Sequence, residues 1–209
     1  ADAIIQYRRN FEKLITAIST RFINLTSAEV LPSINQALEE VSQFIGVERG
    51  YVLLFDNDLS EYSCLAEWTI PGLPRYREKL QRMSTGEQKD WLQRMANNEA
   101  FLIKNTDASS KEVSKISPWF TTIKFSWFLE LPIYRSGRAL GSMILGSHTP
   151  FKDWSEDNIS LLRMVVEIFA TTLDRRKMEQ IIRYRSEFDK LVSRISTNFI
   201  NLALEKVDE

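Results

Sequence analysis

Residues 50–69 read Gly-Tyr-Val-Leu-Leu-Phe-Asp-Asn-Asp-Leu-Ser-Glu-Tyr-Ser-Cys-Leu-Ala-Glu-Trp-Thr. Positions 51 to 55 are apolar without a break, which is the length and pattern of a strand covered on both faces. Asp56, Asn57 and Asp58 supply turn chemistry. From Glu61 onward apolar and polar residues alternate. Tyr62, Cys64, Ala66 and Trp68 are expected on one face, with Glu61, Ser63 and Glu67 on the other. The stretch is therefore read as an antiparallel hairpin, ended by Pro71, Gly72 and Pro74.

Upstream the period changes from two to that of a helix. Residues 1–25 contain no Gly or Pro and place Phe11, Ile15, Ile18, Phe22 and Leu25 at steps of 4, 3, 4 and 3. That spacing makes an apolar seam on one side of a helix. A second helix carries Leu31, Ile34, Leu38, Val41 and Ile45 on one face, with Pro32 near its start and Gly46 as its stop.

Downstream, residues 75–100 are polar and irregularly helical, with Trp91, Leu92 and Met95 as the buried edge. Residues 100–103 form a short strand. Residues 105–124 are rich in Ser, Thr and Lys around Pro118, Trp119 and Phe120. Residues 125–134 are apolar apart from Glu130 and Pro132, and a proline there argues for an edge or a bulge. A turn at 135–138 leads to a return strand over 139–147. From Phe151 onward there is again no Gly or Pro. Ser155 is suited to cap a helix, and Glu156 and Asp157 complement its dipole. Ile159, Leu162, Val166, Phe169 and Leu173 form its core-facing stripe. This helix meets no obvious breaker over about fifty residues, a length that suits a connector between modules.

The first helix occurs twice. Residues 7–25 and 184–202 are identical at twelve of nineteen positions at an offset of 177, which is an internal repeat. Phe188, Val192, Ile195, Phe199 and Leu202 repeat the seam in the same steps. Either seam is expected to pair with a second helix as a homodimer contact, or to lie on its own domain; periodicity alone does not separate the two. The chain is read as one complete repeat followed by the first helix of a second.

With 209 residues, 44% hydrophobic and 26% charged, the chain can hold one full-sized domain core. A net charge of −1 gives no footprint for nucleic acid or an anionic membrane. No apolar run reaches the length of a membrane span. One cysteine excludes an internal disulfide and suits the cytoplasm; with one histidine it leaves no soft-ligand metal cluster.

The order helix, helix, hairpin, helical insert, strand, hairpin, helix is α+β with a single antiparallel β-sheet of five or six strands. Three motifs add a resemblance. Glu-Trp-Thr-Ile-Pro-Gly-Leu (67–73) resembles the end of the second strand in GAF domains of bacterial signalling proteins. Phe-Ser-Trp-Phe-Leu-Glu-Leu-Pro-Ile (125–133), Gly137 and Ala-Leu-Gly-Ser-Met-Ile-Leu-Gly-Ser (139–147) resemble the family's central hairpin. Trp-Ser-Glu-Asp-Asn-Ile-Ser-Leu-Leu (154–162) is similar to the entry of its last helix. The resemblance covers residues 27–175. It implies a sheet with the N- and C-terminal helices on one face and the helical insert and a pocket on the other. Residues 1–26 then form a signalling and dimerisation helix, and 176–209 a connecting helix.

Family members serve as regulatory modules in sensor kinases, response regulators, cyclases and phosphodiesterases, often in tandem. The expected host here is a bacterial two-component protein. The expected role is non-catalytic sensing of a small molecule, or ligand-free dimerisation and relay with a filled pocket. Trp68, Trp91, Trp119, Phe120 and Trp127 are the aromatic candidates for the pocket wall, each equally readable as plain core. Glu130 is the candidate polar group, with Lys124 and Ser126 beside it. A covalent bilin is not expected, because Leu65 rather than histidine follows Cys64. The Asn-Lys-Phe-Asp motif of cyclic-nucleotide binders is absent. A single cysteine and histidine leave no resolving pair and no nucleophile with its base.

Overall fold

In the computed structural model residues 2–86, 88–104, 118–149 and 155–205 are described, with the side chains of 118, 121 and 198–205 outside that description. Most of the Ser/Thr/Lys-rich insert, Trp154, and the side chains of Phe199 and Leu202 therefore lie outside the described residues. The chain divides into two units, Ala1–Thr172 and Leu173–Glu209.

Unit 1 starts with helices α1 (Asp2–Phe22) and α2 (Val30–Ile45). Helix α2 ends where Gly46 turns left-handed at φ 74°, its N–H returning to Ser42 and Gln43. Strands β1 (Arg49–Phe55) and β2 (Glu61–Thr69) form the hairpin read from the sequence. Asp56 closes its turn by accepting from the Ser60 hydroxyl and the Glu61 N–H. A two-residue strand β3 (Met83–Ser84) edges β2, and α3 (Lys89–Ala96) and β4 (Phe101–Ile103) follow. Strands β5 (Trp127–Arg135) and β6 (Arg138–Ser147) make the second hairpin. Its turn needs positive φ at Ser136 and Gly137. The six strands order as β3-β2-β1-β6-β5-β4, antiparallel throughout. Strand β4 covers β5 only across residues 128–130, so Pro132 falls on its open edge, where a missing N–H costs nothing.

The fold is α+β, with the terminal helices on one face of the sheet and the insert on the other. Helix α2 approaches the sheet closely because its buried face includes Ser33, Ala37 and Ser42. Opposite them a Cβ on Gly50 would stand 2.6 Å from the Ser42 hydroxyl. Helix α4 (Glu156–Glu205) is shared by both units. Its entry is capped at Ser155, whose side-chain oxygen accepts from the Asn158 N–H. In unit 1 it buries Leu162, Val165, Val166 and Phe169.

Two sequence expectations change. First, the alternation assumed for β2 breaks at Leu65. Val52 pairs with Ala66 and Leu53 with Cys64, so Leu65 is an extra residue. The bulge reverses the phase of the strand. Tyr62 and Cys64 face the insert, with Tyr51 and Leu53 in one core cluster. Ala66 and Trp68 sit opposite Val52 and Gly50 on the helix side, and Glu67 turns to the insert side opposite Tyr51.

Second, the α1 seam is not a free surface. Phe11, Ile15, Ile18 and Phe22 are buried within unit 1. Phe11 lies 4.8 Å from Phe44 of α2, and Phe22 lies 5.7 Å from Phe169 of α4. Arg21 also ties α1 to α2 by a forked pair with Glu40 at 2.8 and 3.1 Å. Four buried apolar side chains at about 1.5–3 kcal/mol each hold α1 on its own domain. Leu25 is half-buried.

Candidate functional site

The insert face of the sheet converges on one carboxylate. Glu130 on β5 is fully buried between Phe101 of β4 and Ile144 of β6. Its Oε1 accepts from Trp91 Nε1 at 3.2 Å, Trp119 Nε1 at 3.1 Å and Ser142 Oγ at 2.7 Å. Trp91 comes from α3, Trp119 from the 3-10 turn Pro118–Thr121 and Ser142 from β6. One buried oxygen thus ties four elements together, and charge-assisted bonds offset its removal from water. Trp91 stands edge-on to Phe55 and Tyr62, and Trp119 edge-on to Phe128 at 4.7 Å and Phe125 at 5.9 Å. Burial, with the Glu130 charge beside it, pushes the Tyr62 phenol well above its usual range.

A second polar group lies on the same face at the start of β1. Arg49 is buried; its Nη1 donates to the Pro74 carbonyl at 2.7 Å and to the Tyr51 hydroxyl at 3.1 Å, and its guanidinium lies over the Tyr76 ring. Glu67 accepts from the N–H groups of Tyr76 and Arg77. Burial also raises the Tyr51 phenol, with the Arg49 bond acting against it. Cys64, between these groups, donates its thiol to the Ala66 carbonyl, and burial pushes it up to about 12. A thiol so held is a poor nucleophile at neutral pH. Among the described residues no cluster of three or more His, Cys, Asp and Glu could hold a metal, and no helix is long and apolar enough to cross a membrane.

The GAF family model matches residues 32–173, which is more than half of the chain. The chain belongs to the GAF family. Solved structures share the fold at low identity. The blue-light-absorbing form of the Thermosynechococcus elongatus PixJ GAF domain is 16% identical with a TM-score of 0.59, covering 78% of this chain and 96% of its own. The phycocyanobilin-bound GAF domain of a cyanobacterial phytochrome is 16% identical at 0.62, covering 81% and 96%. Residues 122 to 287 of a methyl-accepting chemotaxis protein are 14% identical at 0.61, covering 77% and 97%. No curated protein matches the sequence.

Within this GAF domain the expected site residues divide by face. Trp91, Trp119, Phe120 and Glu130 come together on the insert side. Trp127 pairs with Ser147, one residue out of phase with Phe128 and Glu130, and its indole donates to the Thr149 carbonyl. Trp68 is turned to the helix side by the bulge and is half-buried. Lys124 is exposed, and Ser126 donates to the His148 carbonyl. Sequence reasoning missed Arg49, Glu67 and Ser142. Ser142 carried a readable signal, a lone hydroxyl in the apolar run 139–145. Arg49 and Glu67 gave none, because each stands beside a turn or in an alternating strand where charge normally faces water. A groove of about 400 Å³ lies apart from this cluster, lined by Arg8, Glu12, Ile15, Asp157, Leu161 and Met164 of α1 and α4.

Proposed function

We propose that the chain is a non-catalytic regulatory module of a bacterial two-component signalling protein. The insert face is its input and helix α4 its output. The supporting observation is the reach of α4. It gives Leu162, Val165, Val166 and Phe169 to the GAF core and continues in the same helix to residues bearing an apolar heptad stripe. A change in packing on the domain can bias such a helix only if two arrangements differ in free energy at that contact. The cluster around Glu130 is where the input would act, since it links α3, the 3-10 turn, β5 and β6. The test is the output of the parent protein carrying Glu130→Gln. An altered kinase or phosphotransfer level agrees with this reading; an unchanged level in a folded variant counts against it.

A second form of the reading has no ligand, and it draws support from Trp91 and Trp119. Both indoles are fully buried and already bonded to Glu130, so the domain's own aromatics take the place of an occupant. A thermal-shift screen with nucleotides, amino acids, aromatic metabolites and bilins separates the two. Ligand binding raises the melting temperature by mass action, whereas a filled face gives no rise. Solved GAF domains of cyanobacterial phytochromes carry phycoerythrobilin and phycocyanobilin. Within residues 1–209 the one thiol that could carry such a group is Cys64. Its thiol is buried in the same core cluster as Tyr62 and Leu80, and burial pushes it up to about 12, which fits such a group poorly.

A further inference from the structure

The repeated helix occurs in two surroundings. In unit 1 Phe11, Ile15 and Ile18 are 0%, 4% and 0% exposed. Their counterparts in unit 2, Phe188, Val192 and Ile195, are 54%, 43% and 46% exposed. Most of the differences between the copies lie on the exposed side of the first. Arg9 against Ser186, Asn10 against Glu187 and Ala17 against Arg194 all fall where α1 meets water. Arg21, the half-buried partner of Glu40, becomes Asn198. The residues that α1 buries, Phe11, Ile15, Ile18 and Phe22, recur as Phe, Val, Ile and Phe. Five of the seven differences fall at exposed positions of α1, and the four buried positions keep their apolar character.

We infer that the stripe Phe188, Val192 and Ile195 is a docking face for a second domain built like unit 1, which covers it as α2 and the first part of α4 cover α1. This rests on the GAF assignment and goes beyond the regulatory reading. The chemistry of the stripe selects this occupant over a coil with a second copy. A two-stranded coil favours β-branched residues and leucine along its seam, and here two of the five positions are phenylalanine. Unit 1 shows where such rings go, against Phe44 and Phe169. Tyr184 repeats Tyr7, which stands 5.0 Å from Phe44 and off the line of the seam. A coil has no use for that tyrosine, whereas an α2-type aromatic partner does.

Unit 1 serves as the probe. In the full chain, residues 7–25 are replaced by the sequence of 184–202, seating the second copy in the berth of the first. The expected result is one cooperative transition with a melting temperature within about 5 °C of the parent. A second chimera that retains Arg21 separates loss of the Glu40 pair from a misfit of the apolar face. Failure of both chimeras to fold cooperatively overturns the proposal. Sedimentation of the parent and of the Val192→Asp, Ile195→Asp double variant supplies the other arm. Equal mass supports the proposal. A dimer that these changes convert to monomer makes a second copy the occupant and overturns it. Neither result bears on the regulatory reading, which stands or falls on parent output.

Discussion

Glu130→Ala probes the centre of the insert face. The substitution removes the oxygen that accepts from two indoles and a hydroxyl, all within 3.2 Å. The Ser142 hydroxyl can rotate toward another acceptor, but the indole N–H groups are fixed by the rings around them. Each buried donor left without a partner costs about 1–3 kcal/mol. Relief of the buried carboxylate's desolvation returns part of that. The net expectation is a loss of about 3 kcal/mol, which at an m-value of about 2 kcal/mol/M moves the urea midpoint down by about 1.5 M. Glu130→Gln keeps an acceptor at the same place and should cost about 1 kcal/mol. Indole N–H resonances provide the local readout. Of the five tryptophans, Trp91 and Trp119 should move, while Trp127, bonded to the Thr149 carbonyl, should not. A Glu130→Ala protein with an unshifted midpoint and both resonances in place would refute the assignment of Glu130 as the hub.

Gly141→Ala should be among the most damaging small changes, because the new Cβ would stand 1.9 Å from the Leu53 carbonyl oxygen, a backbone atom in the middle of the sheet. A loss above about 3 kcal/mol is expected by urea titration, and a near-neutral result would mean that β1 and β6 are not paired in this register. Ile18→Asp should unfold unit 1, losing about 4 kcal/mol or more, since the residue is fully buried; a folded variant altered only in association state would contradict the burial of α1. Alkaline pH should destabilise the domain. Burial raises the folded pKa of Cys64 from 9.0 to about 12, so its contribution is complete below the unfolded value and is lost as pH rises between them. Melting temperature should fall above about pH 9, and less steeply up to pH 10 in Cys64→Ala; identical slopes would show that the thiol is not buried.

Much of the fold was legible because period and punctuation agreed. The unbroken run at 51–55, the turn residues 56–58 and the glycine at 46 each had one structural meaning. The bulge at Leu65 did not. Positions 62, 64, 66 and 68 are apolar whichever way the strand is phased, so one inserted residue leaves no mark on the pattern while exchanging the faces of Trp68 and Glu67. Trp127 was misplaced for a related reason, since a run of apolar residues does not say which of them faces the insert. Glu130 was legible as the one charge in such a run, and its role followed once Trp91 and Trp119 were found to aim their N–H groups at it. The seam was legible as a stripe but not as to its occupant. Steps of 4 and 3 describe a helix on a domain and a helix in a coil equally well, and only the packing of Phe11 on Phe44 separates them.

The duplicated helix also gives α1 a rival for its place on unit 1. Two nearly interchangeable segments compete for one cleft whenever molecules refold at high concentration, which favours exchanged assemblies over monomers. During synthesis the order of emergence resolves the contest, because the earlier segment can close the cleft before the later one leaves the ribosome. Refolding from denaturant removes that head start, so yield should depend on protein concentration more steeply than for a chain lacking residues 184–205.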